Sequence, residues 1–239
     1  MRMVATQARV ELVLTLRRGE SVLATFGIPA ILLAFLAKVD VLPVEGASRI
    51  DFLVPGVVAL AVIASAMVSL GIATGFERSY LVLKRLGATP LSRPRLVAAK
   101  VGSILAVEAA QVSALLLFAV ALGWRGHGSP AVAVMSVVLG TAAFAGVGLL
   151  LAGTLPAEAT LAAANGLYVV LLFLGGIAFP LSRLPGWLET VARLLPAAAL
   201  TECLRAGVGV SPLPAGALLA LAAWAVAAPL AAAALFRWE

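Results

Sequence analysis

Cysteine occurs once in this sequence, at Cys203, and histidine once, at His127. A lone cysteine excludes an intrachain disulfide and a dithiol redox pair. A lone histidine excludes the zinc helix of an HExxH hydrolase, which needs two on one face. None of the lysines, Lys38, Lys84 and Lys100, follows a glycine, so a GxxxxGK[ST] loop that could cradle phosphates is absent. There is no GxSxG nucleophile elbow, and no pairing of glutamates that suggests an intramembrane protease. The residue counts therefore argue against an enzyme, and no cofactor or metal site is expected in this chain. Any energy for work must come from outside it.

Charge and aromatics are also scarce, at 12% and 6% of 239 residues, against 63% hydrophobic. A soluble domain is nearer half apolar and a quarter charged. With a mean hydropathy of +1.12, the chain reads as an all-α polytopic membrane protein. The net charge of +6 points to a basic membrane face rather than to nucleic acid, because basic residues collect on the cytoplasmic side of membrane proteins. Ala, Leu and Val make up the apolar bulk, and many small residues imply close helix packing.

Residues 1–20 carry Arg2, Arg9, Arg17 and Arg18 among short apolar runs. They lack the uninterrupted apolar core of a cleaved signal peptide and read as an interfacial helix lying on the membrane surface. Six spans are expected at 21–37, 52–76, 97–122, 130–155, 159–179 and 214–236, each near the roughly 17 to 25 residues a membrane requires. Between them lie a polar loop after the first span, the basic loop 77–96, the turn 123–129, and the segment 180–212, all within one transmembrane domain without internal repeats. Six spans put both termini on one side.

On that side stand Arg2, Arg9, Arg17, Arg18, Arg78, Lys84, Arg85, Arg93, Arg95, Lys100 and Arg237. Opposite them are only Lys38, Arg49, Arg125, Arg183, Arg193 and Arg205. The bias places both termini in the cytoplasm and the protein in the cytoplasmic membrane.

The stretch from Gly75 to Lys100 is the main basic interruption of the chain. A short helix over Glu77 to Leu86 is expected there, capped by Gly87, with Pro90 and Pro94 turning the chain into the third span. It reads either as a shaped docking knob or as a simple topology signal that binds anionic headgroups at about 1 kcal/mol per basic residue. Shape favours the knob, since topology needs charge but no such punctuation.

The segment 180–212 reads as two half-length helices divided by Pro196, a re-entrant hairpin dipping into the outer leaflet with Trp187 in the interface. It is either the cover of a pathway or a folded cap. Glu108, near the middle of the third span, must face protein or water; Gln111, one turn on, is placed to hydrogen-bond it. Both, with Asn165 in the fifth span, are candidates for a pathway lining or for interhelical polar contacts, and the sequence leaves the two roles open. Gly71, Gly75, Gly140 and Gly146 mark faces where helices can approach closely.

Two local patterns carry a family resemblance. LKRLGATPLSRPRLVAAK, Leu83 to Lys100, resembles the coupling loop of the membrane subunit of type-2 ABC exporters, in the group that includes daunorubicin-resistance-like drug exporters. FPLSRLPGWLETVARLLPAAALTECLRAG, Phe179 to Gly207, is similar to the external segment of that family, with Pro180, Pro185, Trp187, Pro196, Glu202 and Arg205 matching. The chain departs from it at Leu195, where members often carry Asn. The resemblance covers essentially the whole chain, and it implies a drug or lipid export permease working with a second membrane half, a copy or a paralogue. ATP and Mg would sit on separate cytoplasmic ABC ATPase subunits. Leu83, Leu86, Gly87 and Ala88 would occupy the ATPase groove, with Arg85 alongside, and Phe179 to Gly207 would form an external gate. A non-transporting docking, assembly or immunity factor is the alternative reading of the same features.

Overall fold

Small side chains decide how near the helices come, because lipid is as apolar as Leu and association in a membrane rests on packing and interhelical hydrogen bonds. In a computed structural model, residues 27–38, 49–82 and 93–236 are described. Among them the regular structure is helical. Helix α1 spans Ile28–Lys38, α2 Arg49–Ile63 and α3 Leu70–Ser79, the last two joined without a break by a π-helical stretch, Ala64–Ser69. Then come α4 Arg93–Ala121, α5 Pro130–Thr154 and α6 Ala157–Leu174. A 3-10 turn, Leu181–Arg183, leads into α7 Gly186–Leu194, α8 Pro196–Gly207 and α9 Ala215–Leu235.

Five helical segments among the described residues are long and apolar enough to cross a membrane: Ile50–Ser79, Val97–Ala121, Pro130–Thr154, Ala157–Leu174 and Ala215–Leu235. They correspond to expected spans two to six. The expected first span, 21–37, falls partly outside the described residues, and the interfacial helix 1–20 falls wholly outside. The second span runs on to Ser79, past the expected end at Phe76, so Glu77 continues the membrane helix instead of opening a new one. The third begins at Arg93, with Pro94 in its first turn, where the missing N–H of proline has no helical partner to lose. Its proline therefore starts the span as well as ending the loop. The fifth stops at Leu174, because Gly175 and Gly176, the latter at φ +67, turn the chain out of the helix.

Helix α5 is the central post. Its buried side runs from Ser136 through Gly140, Thr141, Phe144, Gly146 and Gly148 to Gly153, and it packs against α9 along its length and against α8, α3 and the π stretch. A Cβ on Gly148 would stand 2.6 Å from the Met67 carbonyl oxygen, and one on Gly146 would stand 2.4 Å from the Pro229 backbone nitrogen. These glycines let backbone touch backbone. Phe144, Met67, Leu200 and Leu221 fill the remaining core and are fully buried.

The connections sort to two ends. At one, Arg78 meets Leu155 and Gly153 meets Phe236, which gathers the approach to the basic loop, the α5–α6 turn and the end of α9. At the other, the 123–129 turn lies against the 207–209 loop, with the His127 N–H donating to the Val208 carbonyl at 3.4 Å. Helix α8 packs inward. Pro196 to Thr201, Cys203, Leu204 and Gly207 are all buried, and the helix packs on α5, α9 and α2. It is part of the core of the bundle, because its Ala-rich face fits the glycine side of α5.

Candidate functional site

Glu108 and Gln111 are three residues apart and share one face of α4. Both are fully buried. Each reaches a neighbouring helix: the Thr141 hydroxyl of α5 donates to a Glu108 carboxyl oxygen, Oε2, and the Ser65 hydroxyl of the π stretch donates to Gln111 Oε1 at 3.0 Å. The expected hydrogen bond between the two gives way to these cross-helix contacts, which tie α4 to its neighbours. Ser65 and Thr141 were not singled out from sequence. The signal for them was a hydroxyl within an apolar span, but only packing reveals which hydroxyl faces a partner.

The Thr141 hydroxyl also stands 2.8 Å from the Val137 carbonyl. One proton cannot serve both acceptors at full strength. The second carboxyl oxygen of Glu108, Oε1, is buried with no partner, an arrangement that costs on the order of 1 to 3 kcal/mol. Glu108 also lines a groove of about 770 Å³ between α2, α4, α5 and α8, with Val112, Leu116, Val134, Val138 and Leu204 among its walls and with Val134 and Val138 exposed at its mouth. It extends to the 123–129 turn, where Trp124 and Arg125 contribute to its wall.

At the opposite end the base of the basic loop is anchored. Lys100 Nζ lies 2.6 Å from Glu77 Oε2 with the lysine side chain only 3% exposed, which joins the end of α3 to the start of α4. Arg78 Nη2 donates to the Leu155 carbonyl at 2.7 Å, occupying an acceptor that the C-terminus of α5 leaves open. Two of the basic residues counted toward the cytoplasmic face are thus structural fasteners. Just beyond α3, Leu81 adopts φ +59, a left-handed turn that costs a non-glycine residue roughly 1 to 2 kcal/mol. Leu83, Arg85, Leu86, Gly87 and Ala88 lie outside the described residues.

A pair between exposed groups is worth under about 1 kcal/mol, whereas breaking a fully buried one costs roughly 3 to 5 kcal/mol. With Glu77 26% exposed, Lys100→Met should cost about 2 kcal/mol between those limits. The companion Glu77→Gln should recover part of that loss in a Lys100→Met background. Thermal unfolding of the two variants checks both, and a smaller loss in the single variant than in the double would sink the ion-pair account.

The hairpin residues fall into separate roles. Pro185 precedes the first turn of α7 and Pro196 occupies the first turn of α8, while Pro180 precedes the 3-10 turn. Trp187 is 72% exposed and Leu194 66%; with Val191 they form an apolar outer face suited to lipid. Glu202 accepts from Arg193 Nη1 at 3.0 Å, and Arg193 also pairs with Glu189 at 2.8 Å. Chiefly the Glu189 hydrogen bond, and then the charge of Glu202, raise the Arg193 pKa above its ordinary value. Arg205 donates to the Gly176 carbonyl at 2.6 Å and lies 4.3 Å above the Phe52 ring, so it fastens α8 to α2 and to the end of the fifth span. Asn165 donates to the Leu161 carbonyl one turn back at 2.8 Å and faces outward from α6. Among the described residues its side chain has no hydrogen bond to another helix.

Five apolar helices of spanning length, with the connection between the first two of them tied at its base, are those of a multi-pass membrane protein. The ABC-2 type transporter family matches residues 6–208, and the chain belongs to that family. It is thus a permease component of an ABC transporter, of a kind that generally lacks an ATPase site of its own and works with ATPase partners. No curated protein matches the chain.

Proposed function

We propose that this chain is one half of an ATP-driven exporter, moving a hydrophobic or amphiphilic substrate such as a drug or lipid across the cytoplasmic membrane. The observation that carries the reading is the rigid base of the loop between α3 and α4, where Glu77–Lys100 and Arg78–Leu155 connect it to three spans. A push on Leu83, Arg85, Leu86, Gly87 and Ala88 passes into the bundle instead of being absorbed at a hinge. ATP and Mg are bound by the partner ATPase, and the excess of basic residues at this end faces it with both termini in the cytoplasm. Coupling requires that the ATPase contact this loop differently in two states of the permease.

A second copy or a paralogue completes the pathway. The outward face of α6 supports this, since it presents Asn165 and an uncovered Gly166, around which nothing lies within 4 Å of a Cβ position. Amide groups and glycines are interface residues in membranes. Trp187 and the exposed side of α7 cover the outer leaflet end.

Leu86→Glu is expected to abolish substrate-stimulated ATPase activity and transport, at least tenfold, while the protein still inserts and purifies. A groove contact of this size loses roughly 1.5 to 3 kcal/mol when a buried Leu is removed. Full substrate-stimulated ATPase activity in Leu86→Glu would rule out coupling through this loop. Purification of the wild-type chain without any bound ATPase would instead favour a docking or assembly factor.

A further inference from the structure

Behind the wall of the apolar groove lies one buried acceptor with nothing to accept, Glu108 Oε1. Its wall is aliphatic over most of its length, formed by Val112, Leu116, Val134, Val138 and Leu204. At about 770 Å³ it falls within the roughly 300 to 1,000 Å³ typical of small-molecule sites. Along α4, Glu108 and the end of the helix at Ala121 are about 20 Å apart at 1.5 Å per residue. Glu108 therefore lies deep, while the exposed Arg125 stands at the opposite end, toward the 123–129 turn, where water screens it.

Glu108 has the chemistry of a receiver. Its Oε1 is buried and unpartnered, and its Oε2 shares the single Thr141 proton with the Val137 carbonyl, which lies 2.8 Å from that hydroxyl. Rotation of the glutamate toward the cavity costs Thr141 little, because its hydroxyl keeps the Val137 carbonyl. A purely structural carboxyl would be fully saturated, since a half-satisfied buried polar group weakens a core. A donor entering from the cavity supplies what the protein does not.

We infer that this cavity binds an amphiphilic amine, its protonated nitrogen donating to Glu108 and its apolar body lying along Val112, Leu116 and Val138. The inference rests on the permease reading for its place in transport but concerns binding alone. A charged N–H partner is favoured over a hydroxyl because it both fills the acceptor and supplies the counter-charge that lets a buried carboxyl ionise, where without a partner it would hold its proton.

Dansylcadaverine, an aromatic body on a five-carbon chain ending in a primary amine, tests it against N-pentyl dansylamide, which has the same body without the amine. Both are titrated by dansyl fluorescence, without ATP, into the full chain purified in lipid nanodiscs with whatever subunits remain bound. The expected result is saturable binding of the amine about tenfold to a hundredfold tighter than its analogue, the range of one charge-assisted hydrogen bond. Glu108→Gln should erase that preference and leave the analogue unchanged. Val134→Trp, which fills the cavity from α5, should weaken both probes. Equal wild-type binding of the two probes, or a preference that survives Glu108→Gln, would overturn the assignment. Continued burial of Cys203 against maleimide shows that a variant is folded. Loss of the coupling effect at Leu86 with amine binding intact would count against the exporter and leave the site standing; intact coupling with no amine preference would do the reverse.

Discussion

Gly146→Val is expected to prevent the bundle from assembling. The Cβ position at Gly146 lies 2.4 Å from the Pro229 nitrogen and 2.6 Å from the Ala228 carbonyl carbon. Both are backbone atoms, so no rotamer change on α9 can make room. Even alanine requires the helices to part by about 1 Å to reach ordinary contact, and valine adds two more methyl carbons. The position is costly because α5 and α9 share an extensive seam, and packing is the main attraction between helices in lipid. Separation of the seam forfeits contacts along both helices, a loss of more than about 5 kcal/mol that marks a disrupted core. Cys203 reports the outcome. Its thiol is buried between α8 and the core, and desolvation pushes its pKa up to about 11, so the native protein should resist maleimide. Rapid labelling and aggregation on size exclusion are expected for Gly146→Val. Wild-type protection of Cys203 in that variant would show that α5 and α9 can part without loss of the fold.

Arg205→Met should remove about 3 kcal/mol of stability while leaving the helices in place. Two interactions are lost. A charge-assisted hydrogen bond to the Gly176 carbonyl is worth about 1.5 to 3 kcal/mol, and the guanidinium over the Phe52 ring at 4.3 Å adds about 0.5 to 2 kcal/mol. Methionine retains most of the apolar stem, so the effect isolates the guanidinium from packing. Arg205 joins α8, α2 and the Gly175–Gly176 turn, so the loss should fall at that end of the bundle. Thermal unfolding monitored by helical circular dichroism measures the stability. Hydrogen exchange locates it, with faster exchange expected in α8 and around Gly176 and little change near Lys100. An unchanged melting temperature would show that water replaces the guanidinium at no cost. Phe52→Leu tests the ring separately and should reproduce the smaller part of the loss.

Much of the architecture was legible in composition. Apolar runs of spanning length end where charge or glycine returns, and that one-dimensional rule located the helices from α2 to α6 and α9. It failed on details that depend on neighbours. The helix of the second span continues through Glu77, which pairs with Lys100, because a charge ends an apolar run but not a helix, and Glu is a good helix former. Pro196 reads as dividing the two half-length helices of a hairpin that dips into the outer leaflet, and it does divide α7 from α8; that α8 packs into the core was not legible. Its run of Ala and small residues suits either an exposed turn or a tight interface, and periodicity cannot distinguish the two.

The sequence by itself determined that this is a multi-pass helical membrane protein without a GxxxxGK[ST] phosphate loop, and that its basic loop falls between two apolar runs of spanning length. Those conclusions follow from what side chains tolerate in lipid, which is a property of each segment alone. Only the tertiary structure decided what the polar residues do. Lys100 and Arg78 became fasteners, Asn165 turned outward, and Glu108 parted from Gln111 to share a proton with Thr141 beside a cavity. A hydrogen bond or an ion pair depends on which helix stands opposite, and that is set by the fit of glycine faces around α5.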